Sequence, residues 1–277
     1  MTRRPAPPAS RRLSRALVYL AAIVIALYIA GPIYLVAVLA FSPRDVVYGY
    51  PKPIVPTQIS LETMAFFINS YGILDSVKNS VIVAVLTLGL SLAIGAPAGY
   101  ALARYVFRGS DIYRILILST RAFPVVILSI PLITAYITWG LDDTALGVAL
   151  LHTAMALPTT ILVTSSIFVG VSKDLEEAAM TMGCTRLGAF RRVALPLALP
   201  GLAASAIFTF VLSWNEVFAA AILTIQNQTL PARLIVQLNQ SPIPFRFAGG
   251  LFILAPAIVF MLFARRYLFS LWGVKLR

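Results

Sequence analysis

Six long apolar stretches, separated by short polar segments, dominate the pattern of the sequence. Each contains the roughly 20 mostly apolar residues that a helix needs to cross a bilayer. The pattern therefore predicts an all-α, polytopic membrane protein with six transmembrane helices in one domain over residues 16–268, between tails of residues 1–15 and 269–277. The six predicted spans are residues 16–41, 77–103, 112–139, 145–170, 202–224 and 248–268.

Several predicted spans contain residues that bend helices. Proline removes a backbone donor and kinks a helix, and a membrane protein tolerates this where neighbours or a water-filled cavity satisfy the freed carbonyls. Together these positions predict a bundle that bends, as in a transporter. They are Gly95, Pro97 and Gly99 in the second span, Pro124 and Pro131 in the third, and Pro158 in the fourth.

Composition supports a membrane protein. Hydrophobic residues make up 60% of the 277 residues and charged residues 12%, against about 45–50% and about 25% in ordinary globular domains. A water-soluble protein of this size could not bury so much apolar surface. The single cysteine excludes a disulfide within the chain, and the single histidine excludes a metal site built from several histidines.

The placement of basic residues predicts the topology. Sixteen Lys and Arg lie in the N-terminal tail, in the loops around 104–114 and 171–200, and between residue 265 and the C-terminus, whereas five lie on the opposite side of the predicted spans. Because cytoplasmic loops carry an excess of Lys and Arg, both termini are predicted to be cytoplasmic. The Arg-rich start resembles a signal peptide, but the apolar run after it exceeds a cleavable core of about 7–15 residues, so we expect a retained anchor. The net charge of +12 then reflects topology, and no nucleic-acid partner is expected.

Two loops on the less basic side carry amphipathic or polar segments. Residues 42–76 include four prolines and a short amphipathic stretch, 61–67, which is expected at the membrane interface. Residues 225–247 are rich in Gln and Asn. These loops either form a docking surface for a partner outside the membrane or are solvated connectors, and both interpretations stay open here.

The 171–200 segment predicts a helix–turn–helix at the cytoplasmic face of the membrane. Ser172 is the expected N-cap of the first helix, and acidic residues follow it in the first turn, where the helix dipole favours negative charge. Gly183 is expected to end this helix, because glycine adopts the left-handed conformation at no steric cost. Thr185 is the expected cap of a second helix over 186–195, which Pro196 and Pro200 would end.

The first of these two helices also offers a surface for a partner. Ala178 and Ala179 would allow another protein to approach closely, and Glu176 and Glu177 would provide a polar grip. The segment resembles the EAA loop of ABC-importer permeases, whose pattern is EAA, three residues, G, nine residues, I, one residue, then LP. Val193 in place of Ile is the one departure. The matching residues are Glu177, Ala178, Ala179, Gly183, Val193, Leu195 and Pro196.

Three further matches narrow the resemblance to carbohydrate permeases, and in particular to the smaller permease of maltose-type importers. Trp214-Asn215-Glu216 is similar to a signature in the fifth span of that family. Residues 79–84 are similar to its entry into the second span. Gly273-Val274-Lys275 resembles part of its terminal stretch, although the family's Thr is missing and the tail is shorter.

The resemblance implies an importer half-channel in a bacterial or archaeal plasma membrane. Such a permease pairs with a second, related permease and two ATP-binding subunits, and it receives a carbohydrate from an extracytoplasmic solute-binding protein. The EAA loop, with Glu176 included, would couple it to the ATPase. The sequence has no G-x-x-x-x-G-K-[ST] phosphate loop, so ATP and Mg²⁺ are expected on the partner subunits, and no cofactor or enzymatic activity is expected in this chain.

Arg121 and Glu216 are charged residues within predicted spans. On insertion scales each would cost roughly 2.5–3.5 kcal/mol at a helix centre, so each should face the bundle interior or a cavity. Glu216 is either a substrate-path or gate residue or a hydrogen-bonding group between helices, and Trp214 either stacks on sugar or packs on a neighbouring helix. The candidate path residues are therefore Trp214, Asn215, Glu216 and Arg121, and His152 is the expected interhelical hydrogen-bond partner.

A rival interpretation is a secondary transporter driven by an ion gradient. Arg121, Glu216 and His152 would then form a relay. The match of the 171–200 segment and the scarcity of carboxylates in the spans stand against it. A membrane enzyme is not indicated, because no metal-ligand or nucleophile–base spacing lies on one face.

Overall fold

The computed structural model describes residues 9–105, 107–237 and 240–271, with side chains described from residue 15 to residue 262 of these ranges. Every regular element in this part is helical, which confirms the all-α prediction. Residues 1–8 and 272–277 of the predicted tails, including Gly273-Val274-Lys275, lie outside the described residues. The α-helices are α1 (Ala9–Ala40), α2 (Arg44–Tyr48), α3 (Glu62–Ile68), α4 (Ile73–Arg104), α5 (Ser110–Ser119), α6 (Val125–Trp139), α7 (Ala145–Val169), α8 (Lys173–Thr181), α9 (Arg186–Ala189), α10 (Leu195–Asn215), α11 (Phe218–Leu223), α12 (Leu230–Gln237) and α13 (Ile243–Leu271).

The described helices include five to six candidate membrane spans. Five helical runs are long and apolar enough to cross a membrane, and α5 with α6 forms a pair bent by 84° that makes a sixth if it is one span. The five runs are Arg15–Ala40, Ile73–Arg104, Ala145–Val169, Arg186–Asn215 and Ile243–Leu262. The prediction of a polytopic membrane protein is therefore confirmed.

The chain forms two compact units. Of the described residues, those up to 69 and those in 241–252 form the first unit, and the others form the second. In the first unit, the amphipathic stretch becomes helix α3. Its Phe67 is fully buried, with its ring centroid 4.8 Å from that of Phe245 and 5.1 Å from that of Phe252.

Small residues let α4 and α7 pack closely in the second unit. A Cβ atom placed on Gly95 would lie 2.7 Å from Cγ2 of Thr160, and one on Gly99 would lie 2.1 Å from Oγ1 of Thr164. The hydroxyl of Thr164 donates a hydrogen bond to the carbonyl oxygen of Gly95 over 2.9 Å. This spacing of small residues is typical of membrane helix pairs. The glycines and Pro97 do not break the second span, since α4 is continuous.

The third span is broken, as its prolines led us to expect. Helix α5 ends at Ser119, a short 3₁₀ turn covers Thr120–Ala122, and α6 begins at Val125. Phe123, the residue before Pro124, is extended, with φ −78° and ψ 114°. A residue before proline avoids the helical region because its backbone clashes with the proline ring, so the break falls here. Pro131 and Pro158 lie inside α6 and α7 without ending them.

The predicted fifth span, 202–224, is wrong at both ends. Helix α9 passes through a π-helical turn, Phe190–Ala194, directly into α10, so Pro196 and Pro200 do not end a helix. The N–H of Leu195 bonds to the carbonyl oxygen of Phe190, five residues back. Pro196 is the second residue of α10 and follows the π turn directly. The other end breaks at Glu216, after which α11 begins at Phe218.

Candidate functional site

The turn of the 171–200 segment has the predicted geometry. Gly183 lies just beyond the end of α8 with φ +93°. Its N–H bonds to the carbonyl oxygen of Met180 over 3.0 Å, and the N–H of Cys184 bonds to that of Ala179 over 3.0 Å. These two bonds form a Schellman motif, which satisfies the last carbonyls of a helix. The helix–turn–helix therefore follows from local chemistry.

The two predicted N-caps differ. Thr185 caps α9, because its Oγ1 accepts a hydrogen bond from the N–H of Gly188 over 3.1 Å. Ser172 stands at the N-cap position of α8, but its side chain makes no capping bond. Its hydroxyl instead contacts the carboxylate of Asp174 at 3.4 Å. Of the two predicted N-caps, only Thr185 makes a capping hydrogen bond.

The motif residues are divided between the surface and the interior. Glu177, Ala178 and Gly183 are exposed, and Ala179 is buried beneath them. Val193 and Leu195 are half-buried, in the π turn and at the start of α10, whereas Pro196 is exposed. The structure thus places a small exposed face at the end of α8. Leu195, in contrast, packs on a buried hydrophobic cluster that includes Ala96, Phe168 and Leu202.

Glu176 does not belong to that exposed face, in contrast to the predicted polar grip. It is only 3% exposed. Its Oε1 accepts hydrogen bonds from Arg104, and its Oε2 accepts one from the hydroxyl of Tyr100. A carboxylate is buried only when it is paired, and helix α4 supplies the partners. Sequence spacing could not show this, because α4 and α8 are about 70 residues apart.

Glu216 stabilises the break between α10 and α11. Its carboxylate accepts hydrogen bonds from the backbone N–H groups of Phe218, Ala219 and Ala220 over 2.9–3.3 Å. Its Oε2 also lies 3.2 Å from Nε2 of His152. An acidic group at a helix N-terminus satisfies donors that have no partner within the helix. The geometry supports the structural interpretation of Glu216.

His152 joins three helices of the second unit, in agreement with the prediction. The residue is fully buried, and its Nδ1 lies 3.0 Å from Oγ of Ser213 on α10. The hydroxyl of Ser213 in turn donates to Oγ1 of Thr87 on α4, at 3.4 Å. The chain of contacts from Thr87 to Glu216 therefore ties α4, α7 and α10 together.

Trp214 packs inside the second unit. It is 3% exposed, and its Nε1 donates to the carbonyl oxygen of Ile253 over 3.0 Å. Its ring stacks on Phe210, with centroids 5.8 Å apart. Of its two interpretations, the structure supports packing on a neighbouring helix. Asn215 is exposed, and its side-chain amide donates to the carbonyl oxygen of Val211.

Arg121 is the candidate path residue that lines open space. Its side chain is exposed, and Nη1 donates to Oγ1 of Thr159 over 2.8 Å. Two cavities, of about 320 and 260 Å³, both have Arg121 and Leu212 in their walls. Among the ion pairs of the described residues, none includes Arg121. The proposed relay is therefore not assembled, because Glu216 meets His152 and Arg121 meets Thr159.

Asp143 has a role that the sequence did not reveal. Its Oδ1 accepts hydrogen bonds from the successive backbone N–H groups of Ile225, Gln226 and Asn227 over 2.9–3.0 Å. Asp143 itself has φ +50°, a conformation that Asp adopts more readily than most residues. Three convergent backbone donors form an anion-binding nest, so Asp143 holds the start of the 225–229 loop. Within the described residues, no group of three or more His, Cys, Asp or Glu could hold a metal ion.

Comparison with known proteins agrees with this architecture. The chain is 31% identical over 212 residues to the diacetylchitobiose uptake system permease protein of Streptomyces coelicolor, covering 76% of this chain and 77% of that one. It is 29% identical to the trehalose transport system permease protein of Mycobacterium tuberculosis, over 86% of this chain and 89% of that one. A chain from the crystal structure of a bacterial ABC transporter involved in the import of the acidic polysaccharide alginate superposes with a TM-score of 0.77, at 21% identity, covering 95% of this chain and 99% of that one.

A family model decides the assignment. Residues 95–271 match the model of the binding-protein-dependent transport system inner membrane component. The matched region contains the 171–200 segment with its Schellman turn, the π turn and the broken span at Glu216. A relative from Bacillus subtilis, 32% identical over 86% of this chain and 80% of that one, is named a probable ABC transporter permease protein. This likeness favours an ATP-driven mechanism over an ion-driven relay. The chain therefore belongs to the family of binding-protein-dependent transport system inner membrane components.

Proposed function

We propose that this chain is the permease subunit of an ATP-driven ABC importer for a carbohydrate, either a sugar, an oligosaccharide or a polyol. It forms half of the translocation pathway and works by alternating access. Two relatives named for carbohydrate uptake support the substrate class. The excess of basic residues in the tails and in the 104–114 and 171–200 loops supports a plasma-membrane orientation with both termini in the cytoplasm.

The proposed assembly contains a second, homologous permease, two ATP-binding subunits and an extracytoplasmic solute-binding protein. ATP and Mg²⁺ bind to the ATP-binding subunits, and this chain holds no cofactor. The family assignment supports this set of partners, since it describes membrane components of binding-protein-dependent systems. The lipid bilayer covers the apolar outer faces of the long helices.

The exposed face at the end of α8 is the observation that carries the proposal. Glu177 and Ala178 are exposed there, and the left-handed Gly183 turns the chain back toward the bundle without a side chain. No atom lies within 4 Å of the position that a Cβ on Gly183 would occupy. A partner can therefore approach the turn closely. We assign ATPase coupling to this face, together with the other motif residues, which are the buried Ala179, the half-buried Val193 and Leu195, and the exposed Pro196.

Arg121 is the strongest candidate for contact with substrate. Its guanidinium has five N–H donors, and Thr159 uses one of them. The threonine and serine hydroxyls in the walls of the two cavities provide further polar contacts for a carbohydrate. Glu216 and Asn215 act as supporting residues at the end of α10. Arg121→Gln should therefore reduce uptake at low substrate concentration more than at saturation.

The test is transport by the complex purified with its own partner subunits. In proteoliposomes, uptake of labelled diacetylchitobiose, trehalose or another sugar of a panel should require ATP and the binding protein. Gly183→Trp should abolish uptake while basal ATP hydrolysis continues. Gly109→Trp is the matched control, because Gly109 also has φ +93° and open space around it. ATP-independent uptake that collapses with the proton gradient, or normal transport by Gly183→Trp, would contradict the proposal.

A further inference from the structure

A buried ion pair connects the 171–200 segment to a span that is remote in sequence. Nη2 and Nε of Arg104, at the end of α4, donate to Oε1 of Glu176 over 2.6 and 2.8 Å. The hydroxyl of Tyr100, one turn earlier in α4, donates to Oε2 over 2.5 Å. Nη2 of Arg104 also donates to the carbonyl oxygen of Val171 over 2.9 Å. Both oxygens of the Glu176 carboxylate therefore accept hydrogen bonds from side chains of α4.

This pair differs from the exposed ion pair on the same helix. The side chains of Arg104 and Glu176 are 9% and 4% exposed, whereas those of Lys173 and Glu177 are 66% and 54% exposed. Exposed pairs contribute little and exchange with water. Removing one partner of a buried pair leaves an uncompensated charge and is strongly destabilising. Glu176 is thus held in one position relative to α4, whereas Glu177, in its exposed pair with Lys173, remains accessible to a partner protein.

Aromatic packing makes the connection rigid. The ring of Tyr100 lies 5.3 Å from that of Phe168 at the end of α7, edge to face, and 4.5 Å from that of Phe190 at the π turn. Phe168 is fully buried. The contact therefore joins α4, α7, α8 and the π turn at one point. Rigid packed elements of this kind transmit displacement, because packed cores do not deform continuously.

We propose that Tyr100, Arg104 and Glu176 form a mechanical link that passes a displacement of α8 to α4. The three are positioning residues for coupling, since they act through the exposed face of α8 and contact neither nucleotide nor substrate. This inference rests on the proposed coupling function of the 171–200 segment. Without the link, α8 remains joined to the bundle through its packing on α9 and the π turn and through its chain connections, and a smaller part of its movement reaches α4.

The experiment measures substrate transported per ATP hydrolysed in the reconstituted complex. Glu176→Gln and Arg104→Gln should lower this ratio by about fivefold or more, the lower end of typical coupling between sites, with basal ATP hydrolysis retained. Glu62→Gln is the control, because it breaks an Arg–Glu pair that is exposed, with Nε of Arg44 3.1 Å from Oε1 of Glu62. Hydrogen–deuterium exchange should speed up in α8 of the Glu176 and Arg104 variants, but not in the control.

Two further variants separate coupling from stability. The double exchange Arg104→Glu with Glu176→Arg should have a higher ratio than either single exchange, since it restores opposite charges. Tyr100→Phe keeps the ring packing and removes one donor, and it should lower the ratio without impairing assembly. Unchanged ratios in all variants, or equal losses of transport and basal hydrolysis, would overturn the link. A wild-type complex with no ATP-dependent uptake would instead overturn the proposed function.

Discussion

Gly99 sits at a close contact between α4 and α7, and Gly99→Ala tests whether that contact stabilises the second unit. The added Cβ would lie 2.1 Å from Oγ1 of Thr164, which can rotate away. It would also lie 2.7 Å from the backbone nitrogen of Ser165 and 2.8 Å from the carbonyl oxygen of Ile161. Backbone atoms cannot rotate away, so the two helices must separate by several tenths of an ångström.

The expected loss of stability combines two effects. Overpacking in a close-packed interior costs about 1–3 kcal/mol, and separation of the helices also stretches the 2.9 Å bond from Thr164 to the Gly95 carbonyl, worth about 0.6 kcal/mol in a membrane protein. The higher helix propensity of alanine returns up to about 1 kcal/mol. We therefore expect a net destabilisation of about 2 kcal/mol.

Pulse proteolysis of the purified chain across a titration of SDS into dodecylmaltoside micelles measures this loss. Gly89→Ala is the matched control, because Gly89 lies in the same helix and no atom lies within 4 Å of the position of its Cβ. That variant should be as stable as the wild type or more so. If Gly99→Ala were as stable as Gly89→Ala, the close packing of α4 on α7 would be refuted.

Three other substitutions have expected outcomes. Glu216→Ala removes the acceptor for three backbone N–H groups of α11 and should destabilise the chain by about 1–3 kcal/mol, with Glu216→Gln less affected, as measured by thermal unfolding in detergent. Asp143→Ala should speed hydrogen exchange at the backbone amides of residues 225–227. Asp143→Asn keeps an acceptor and tolerates positive φ, so it should cause a smaller change. Equal effects of the two variants would argue against the nest. Thr185→Ala should cost about 1 kcal/mol through loss of the α9 cap, and Ser172→Ala, whose hydroxyl makes no capping bond, should cost less; the reverse order would contradict the assigned caps.

Much of the helical architecture was predictable because each span is long and uniformly apolar. The fourth span was predicted as 145–170 and is observed as Ala145–Val169. The left-handed turn at Gly183 and the cap at Thr185 were also predictable, since both depend on residues within one or two turns. Pro124 breaks its span as expected. The errors are at Pro97 and Pro196, which lie within continuous helices, and at Glu216, where the fifth span ends early.

The candidate site was predictable only in part. Glu177 is exposed, as predicted, but its neighbour Glu176 is buried. Both residues are glutamates, so residue type alone could not distinguish them. Trp214 and Glu216 lie two positions apart in the chain, yet Trp214 donates to the carbonyl oxygen of Ile253 on α13, and Glu216 meets His152 on α7. Their surroundings come from α7 and α13, which are distant in sequence. Motif spacing cannot report such neighbours.

By itself, the sequence determined the class of protein, the number of apolar spans and the local turn at Gly183. These follow from hydrophobic length and from backbone conformations that neighbouring residues set. Only the tertiary structure decided which charged side chains are available to a partner. Burial of Glu176 depends on Arg104 and Tyr100 reaching it from α4, and a carboxylate leaves water only where other elements bring compensating donors.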